Sequence, residues 1–438
     1  MDSNDTFKDY KVKHLFLLVG ENPLPNYVAA MKLLETGRTA YLVYTNQTKS
    51  QKERLKIALK AKGFSSEEVP LDKQRTDNNK SNAHQIYTTV KTFAKKVPAN
   101  ERIGLHYTGG TNPMAIHAYR AITDLERTNT VYSYLDAKTL EIYIDIPQAD
   151  SWHRGVKLEV FLEDLFKLHK YEWQENKKPL SDPILPEAAA EFVRLYQNED
   201  EIATNWRKWS NTHRYNNSGE LIKAIDSKTG QWKSEDELSK MSFSLTGVHP
   251  EIIEVLRQKL DALASSPSQL SLKVTKAKGF SSCQQVCEWL GGIWLEHYVL
   301  QQVKELTADL QLGESKMSFH IKKSQTWEGG VFEFDVAFMR SYQLFAISCT
   351  TSKDAKECKL KLFEAYTRAK QLGGDEARVA LVCCCDNDPT KTQRLDQWLK
   401  SQLEGALSNP KIAVFLREDL PNLKNKIANW VKDNKGAL

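Results

Sequence analysis

RIGLHYTGGTNPMAIHAYRAITDLE, residues 102–126, decides the fold class of this chain. An apolar run ending at Thr108 meets two glycines and then an amphipathic stretch from Asn112 to Glu126, which reads as strand, tight turn and helix. Gly109 and Gly110 allow close backbone approach, the helix start presents unpaired N–H groups and a positive dipole end, and Thr108 and Thr111 add hydroxyls. Such a turn suits an anion or a nucleotide. The same alternation runs upstream: HLFLLV (14–19) precedes NYVAAMKLLETG (26–37), AYLVYT (40–45) precedes KSQKERLKIALKAKG (49–63), and a further helix is expected after Asn79. Apolar runs each followed by a helix predict βα units on a parallel sheet. TVYSYLD (130–136) and LEIYIDI (140–146) close the unit as a hairpin. Residues 1–150 are therefore expected to form a Rossmann-like α/β domain. The loop after the first strand, VGENPLPN (19–26), ends at the same sheet edge as the glycine turn, where ligands of parallel sheets bind. Neither loop is GxGxxG or GxxxxGK(S/T), so a dinucleotide fold or an ATPase is not indicated.

The chain has 438 residues, enough for about three folded units. Its 61 basic and 56 acidic side chains leave a net charge of +5, which names no partner, although residues 1–150 carry 21 basic against 17 acidic groups. No window approaches the ~18 consecutive apolar residues of a membrane span, and the start, Met1 to Lys13, is no export signal. Seven cysteines lie between Cys283 and Cys385. An odd set confined to one region makes a poor disulfide framework, so reduced core thiols in a cytoplasmic protein with no membrane partner are expected.

Residues 151–280 hold five of the ten tryptophans and several helical patterns, and are expected to be a mostly helical connector, with a winged-helix element conceivable. Residues 281–438 return to an α/β pattern: a helix over 291–310, strands at 318–323, 331–338 and 343–350, a helix over 353–374 and a strand at 378–384. A helix over 393–405 and the strand IAVFL extend it.

VGENPLPNYVA together with LHYTGGTNPMAIHAY resembles the two signature regions of CARF domains, the CRISPR-associated Rossmann-fold sensors. The resemblance covers roughly the first 150 residues. It implies a homodimer that binds a cyclic oligoadenylate, with cyclic tetra-adenylate favoured, in type III CRISPR antiviral defence. Gly20, Glu21, Asn22, Pro25 and Asn26 would line one side of the ligand, and Thr108, Gly109, Gly110, Thr111 and Asn112 the other. Thr45 and Asn46, at the end of the second strand, are weaker candidates. Asn112 stands where the family often has a lysine, which argues against cleavage of the ring.

GGIWLEHYV, FEFDVAF and LFAISCTT resemble the PD-(D/E)xK nuclease core as it occurs fused to CARF domains. The family uses a helix glutamate, a hairpin aspartate and an acid-x-lysine pair to bind Mg²⁺ or Mn²⁺ and hydrolyse DNA or RNA. Glu296 and Asp335 match the first two, whereas Ser348 stands at the acid position and Thr350 at the lysine position. With a turn at Arg340 and Ser341, Asp335 is expected opposite Ala346, and Glu333 opposite Ser348, where it would supply the missing acid. Glu296, Glu333 and Asp335 would then hold the metal, with a migrated lysine from Lys353, Lys356, Lys359 or Lys323. Two outputs stay open at this point: a ligand-gated, metal-dependent endonuclease, or a ligand-gated binding or regulatory protein whose nuclease fold has lost catalysis. The Trp206/Trp209 pair beside Arg207 and Lys208 suits either nucleic-acid stacking or interdomain packing.

Overall fold

Strand β1 (Val12–Leu18) is buried on both faces, as a strand inside a parallel sheet must be: Leu15 and Leu17 enter one apolar cluster, Phe16 and Leu18 another. The computed structural model describes residues 5–71, 82–128, 130–145, 151–175, 177–211, 219–263, 266, 268–323, 331–388, 390–403 and 410–434. On one side of β1 lie β2 (Leu34–Tyr44) and β3 (Ser65–Pro70); on the other lie β4 (Ile103–His106), β5 (Thr130–Asp136), β6 (Glu141–Asp145) and β7 (Trp152–Gly155). The order is β3-β2-β1-β4-β5-β6-β7, parallel through β5, with β6 and β7 added antiparallel. Helices α1 (Leu24–Leu33) and α2 (Lys49–Ala61) cover one face, and α3 (Ala83–Lys95) and α4 (Asn112–Thr123) the other. The expected Rossmann-like unit is present. Residues 80–81 of the expected third helix, residue 146 of the hairpin and residues 404–405 of the expected helix over 393–405 lie outside the described residues.

Strand direction of growth reverses between β1 and β4, so the loops that leave their carboxyl ends flank the crevice of the sheet. Strand β3, SSEEVP, was not anticipated, because an edge strand with exposed polar positions lacks an apolar run. Helix α1 also stops four residues early, and Leu34 begins an eleven-residue strand at once.

The connector is mostly helical, with α5 (Leu162–Leu168), α6 (Pro186–Tyr196), α7 (Thr204–Ser210), α8 (Glu235–Ser239), α9 (Pro250–Gln258) and α10 (Leu272–Lys276). Short strands β9 (Ser242–Ser244) and β10 (Gln269–Ser271) pair with each other. A third short strand, β8 (Tyr171–Trp173), joins a second sheet with β11 (Ser315–Lys323), β12 (Phe332–Arg340), β13 (Gln343–Thr350), β14 (Arg378–Cys383) and β15 (Ile412–Phe415), in the order β15-β14-β13-β12-β11-β8. Helices α11 (Cys283–Glu288), α12 (Trp294–Glu305), α13 (Thr307–Leu310), α14 (Ala355–Gly373), α15 (Leu395–Ser401) and α16 (Leu423–Asp433) complete the chain.

The second sheet also has two clothed faces. Val336, Phe338 and Ile347 pack with α12, α16 and the connector, whereas Phe334, Leu344 and Ala346 pack with α14 in the cluster that continues under β1. Trp206 and Trp209 stack at 4.5 Å inside the connector core and donate to the carbonyls of Leu290 and Ser244, so their rings are packing rather than a nucleic-acid platform. No helix among the described residues is long and apolar enough to cross a membrane.

Candidate functional site

Two loops press together at the crevice of the first sheet. A Cβ on Gly20 would lie 1.5 Å from the Gly109 carbonyl oxygen, and Gly109 itself has φ +109°, so both positions admit glycine alone. Asn26, fully buried on α1, donates from Nδ2 to the Leu18 carbonyl at 2.9 Å and fixes the end of β1, while its Oδ1 is without a partner. Across the crevice the Thr108 hydroxyl accepts from Leu135 N at 2.7 Å, and Thr111 caps α4 by accepting from Met114 N at 3.5 Å. Burial holds the His106 ring neutral, pushed down to about 3, beside the Ser133 hydroxyl at 3.0 Å.

Above these loops opens a concavity of 750 Å³. Glu21, Asn22, Pro25, Thr108 and Gly109 line it, together with Leu135 and Ala137. Gly20, Asn26 and Gly110 are not part of its lining, Thr111 and Asn112 form the start of α4, and Thr45 and Asn46 belong to a capped turn outside the lining. The far wall was not read from sequence: it is the end of α14, with Tyr366, Thr367, Lys370 and Gln371, followed by Gly374 to Glu376. Asn22 lies against that end so closely that a Cβ on Gly374 (φ +61°) would come within 2.1 Å of its Nδ2. Glu376 is almost wholly buried, and burial pushes its carboxyl up to about 7.

The middle of α14 meets the second candidate site, an 80 Å³ cavity lined by Glu333, Asp335, Ser348, Lys361, Glu364 and Arg368 among others. The hairpin register corrects the expectation. Arg340 pairs with Gln343 around a turn at Ser341 and Tyr342, with Ser341 at φ +57°, so Ala337 faces Ala346 and Val336 faces Ile347. Moving the turn by one residue moves the register by two, which sets Asp335 beside Ser348. Asp335 Oδ2 accepts from the Ser348 hydroxyl at 2.9 Å and from Cys349 N at 2.6 Å. Ser348 therefore holds Asp335 in place, and Glu333 does not stand opposite Ser348. Glu333 is half-exposed and meets His320 Nε2 at 3.4 Å. Thr350 Oγ1 accepts from Ser352 N at 3.2 Å.

Glu296, on the first turn of α12, is buried and accepts from the Ser318 hydroxyl of β11. Burial, then the like charges of Asp335 and Glu333, push its carboxyl well above the usual range; burial also raises Asp335. The counter-charge is Lys361, whose ammonium is held protonated by Asp335 first and by Glu333 and Glu296 behind it. Lys353 is elsewhere, 3.4 Å from Glu199 of the connector, and Lys359 donates to Gln402 Oε1 at 2.8 Å. Lys361 escaped the sequence reading. Its signal was the stripe Lys361, Glu364, Ala365, Arg368, which repeats at i, i+3, i+4 and i+7 along one face of α14.

Oxygen donors of this kind suit Mg²⁺ or Mn²⁺, and a cation would relieve the repulsion between Glu296 and Asp335, so the donor chemistry fits. The three carboxylates do not converge as a closed cage: among the described residues, the one group of three His, Cys, Asp or Glu side chains with ligand atoms mutually within 4.8 Å is Cys358, Cys383 and Cys385.

Residues 15–160 match the family described as the Card1 CARF domain. The match covers the N-terminal third of the chain, the part that holds the glycine turn and the loop facing it. At the level of fold, the chain is similar to protein VC1899 from Vibrio cholerae, with a TM-score of 0.72 and 14% identity over 97% of this chain and 99% of that one. It is also similar to Can2 from Sulfobacillus thermosulfidooxidans, solved in complex with cyclic tetra-adenylate, with a TM-score of 0.64 and 13% identity over 95% and 99% of the two chains. No curated protein matches the sequence.

Proposed function

We propose that the chain is a cyclic-oligoadenylate-gated nuclease of type III CRISPR defence, acting as a cytoplasmic homodimer. A cyclic oligoadenylate, the tetra-adenylate favoured, sits over the Gly20–Asn26 and Thr108–Asn112 loops of two facing copies. The output is metal-dependent cleavage of DNA or RNA at the cavity of the second sheet, a PD-(D/E)xK-like core in which Lys361 replaces the strand lysine. The Card1 CARF match and the fold shared with a protein solved in complex with cyclic tetra-adenylate support the sensor half.

One observation carries the gating. Helix α14 borders both cavities, with Lys361 at the acid cluster and Tyr366 to Gln371 in the sensor wall, where Asn22 abuts Gly374. From Lys361 to Gly373, the last residue before Gly374, is about 18 Å of continuous helix. Ligand contact at one end therefore has a stiff path to the lysine at the other. Glu296, Asp335 and Glu333 would hold Mg²⁺ or Mn²⁺, which would supply Lewis-acid stabilisation and a hydroxide nucleophile. Lys361 would offset charge that builds on the scissile phosphate, and Ser348 and Ser318 would orient the two buried acids. Isothermal titration with synthetic cyclic tetra- and hexa-adenylate tests the sensor directly; heat from neither ring would remove it.

The serine and threonine at positions 348 and 350 favour a second reading, a binding or regulatory protein without catalysis. Cleavage of neither DNA nor RNA at saturating ligand and Mn²⁺ would select it.

A further inference from the structure

The strand RVALVCCC runs out at three consecutive cysteines, and alternation divides them. Cys384 enters the connector-side core, while Cys383 and Cys385 turn to the opposite face and meet Cys358, on the first turns of α14. All three side chains are buried, and their sulfurs lie mutually within 4.8 Å, with Cys358 and Cys385 3.1 Å apart. The Cys385 sulfur also lies 3.6 Å from the Ser352 carbonyl oxygen. From sequence these residues read as core thiols, because Cys358 is remote from the other two and no CxxC pair announces the grouping.

We propose that Cys358, Cys383 and Cys385 form a three-thiolate site for a soft d¹⁰ cation, with copper(I) preferred over zinc(II). Three sulfurs around an ion at about 2.3 Å stand about 4 Å apart. The cluster reaches that spacing by opening the Cys358–Cys385 pair by less than an ångström. A disulfide would use two of these sulfurs and leave the third without a role. Thiolate donors select copper(I) and zinc(II) from the available metals. Zinc normally completes a tetrahedron, and among the described residues no fourth histidine, cysteine or carboxylate joins the group. A trigonal sulfur site matches copper(I) instead.

Binding displaces thiol protons, and the N-terminus of α14, whose first turn carries Cys358, offsets part of the resulting negative charge. An ion here would tie the first turns of α14, one turn before Lys361, to the end of β14.

The test is an anaerobic titration of the reduced, chelator-stripped full chain with copper(I) against a chromogenic copper(I) chelator, with Zn²⁺ against a zinc dye as the second arm. One equivalent of copper(I) is expected. Affinity should fall by at least about a hundredfold in Cys383→Ser and stay unchanged in Cys283→Ser. Equal binding by wild type and Cys383→Ser overturns the site, as does tighter binding of zinc in a Cys383-independent manner. Should Cys383→Ser fail to fold, X-ray absorption of the copper-loaded wild type decides. Three sulfur neighbours support the site; two-coordinate or nitrogen-bearing copper contradicts it. A disulfide between Cys358 and Cys385 in the chain purified without reductant also overturns it.

Discussion

Glu376 offers the sharpest quantitative handle on the sensor wall. Its carboxyl lines the concavity yet is almost wholly buried, and burial lifts it from 4.5 to about 7. Arg378 does not neutralise it by a direct ion pair: Nη1 donates to the carbonyls of Asp375, Glu376 and Ala377, and Nε donates to Asn434 Oδ1. Between pH 4.5 and about 7 the folded chain holds a proton that the unfolded chain has released. Its contribution to stability is therefore full below this window and is lost as pH rises through it. The displacement corresponds to about 3 kcal/mol as an upper bound. In Glu376→Gln the cost of burying the charge disappears. The expected result is a melting temperature above that of wild type at pH 8 and close to it at pH 5, measured by scanning fluorimetry in matched buffers. Taking the difference between the two proteins cancels the contributions of Glu296 and Asp335, whose carboxyls are also raised. A difference that stays constant from pH 5 to pH 8 would refute the reasoning.

The same ionisation places a negative charge in the wall that would face the proposed polyanionic ligand, so calorimetric affinity for cyclic tetra-adenylate should weaken above pH 7 in wild type and stay level in Glu376→Gln. Lys361→Ala should lower ligand-activated cleavage by about 10²- to 10³-fold while titration still shows ligand binding, whereas Lys353→Ala should leave the rate within a few-fold; similar losses for both would sink the assignment of the lysine. Asn22→Ala should leave some ligand affinity and reduce activation, because it removes the contact with Gly374; full activation would show that α14 is not the path. Trp206→Ala, in the connector core, should cost about 3–5 kcal/mol by chemical denaturation, and a loss below 1 kcal/mol would contradict the packing role.

Alternation of short apolar runs and amphipathic helices made the first sheet legible, since β1, β4 and the second half of β2 are buried on both faces and need continuous apolar runs. The edge strand β3 hid because its exposed positions hold serine and glutamate. The acids Glu296 and Asp335 were found by motif, but their partners were not. A hairpin turn read one residue too early displaced the register by two and gave Glu333 the place opposite Ser348 that Asp335 holds. The lysine was lost for a related reason: Lys353, Lys356, Lys359 and Lys361 are close in sequence, and helix phase alone decides which one faces Asp335. The sensor loops were legible because their glycines and the buried Asn26 answer local backbone needs. The wall that α14 builds was not, because it comes from residues more than two hundred positions downstream.

Control of chemistry at the second sheet by ligand at the first is tested by measuring cleavage of mixed DNA and RNA substrates by the full chain with Mn²⁺, with and without cyclic tetra-adenylate. At least about a tenfold rise in rate on ligand addition is expected, abolished by Asp335→Asn. Equal rates with and without ligand, under conditions where calorimetry shows the ligand bound, would contradict it.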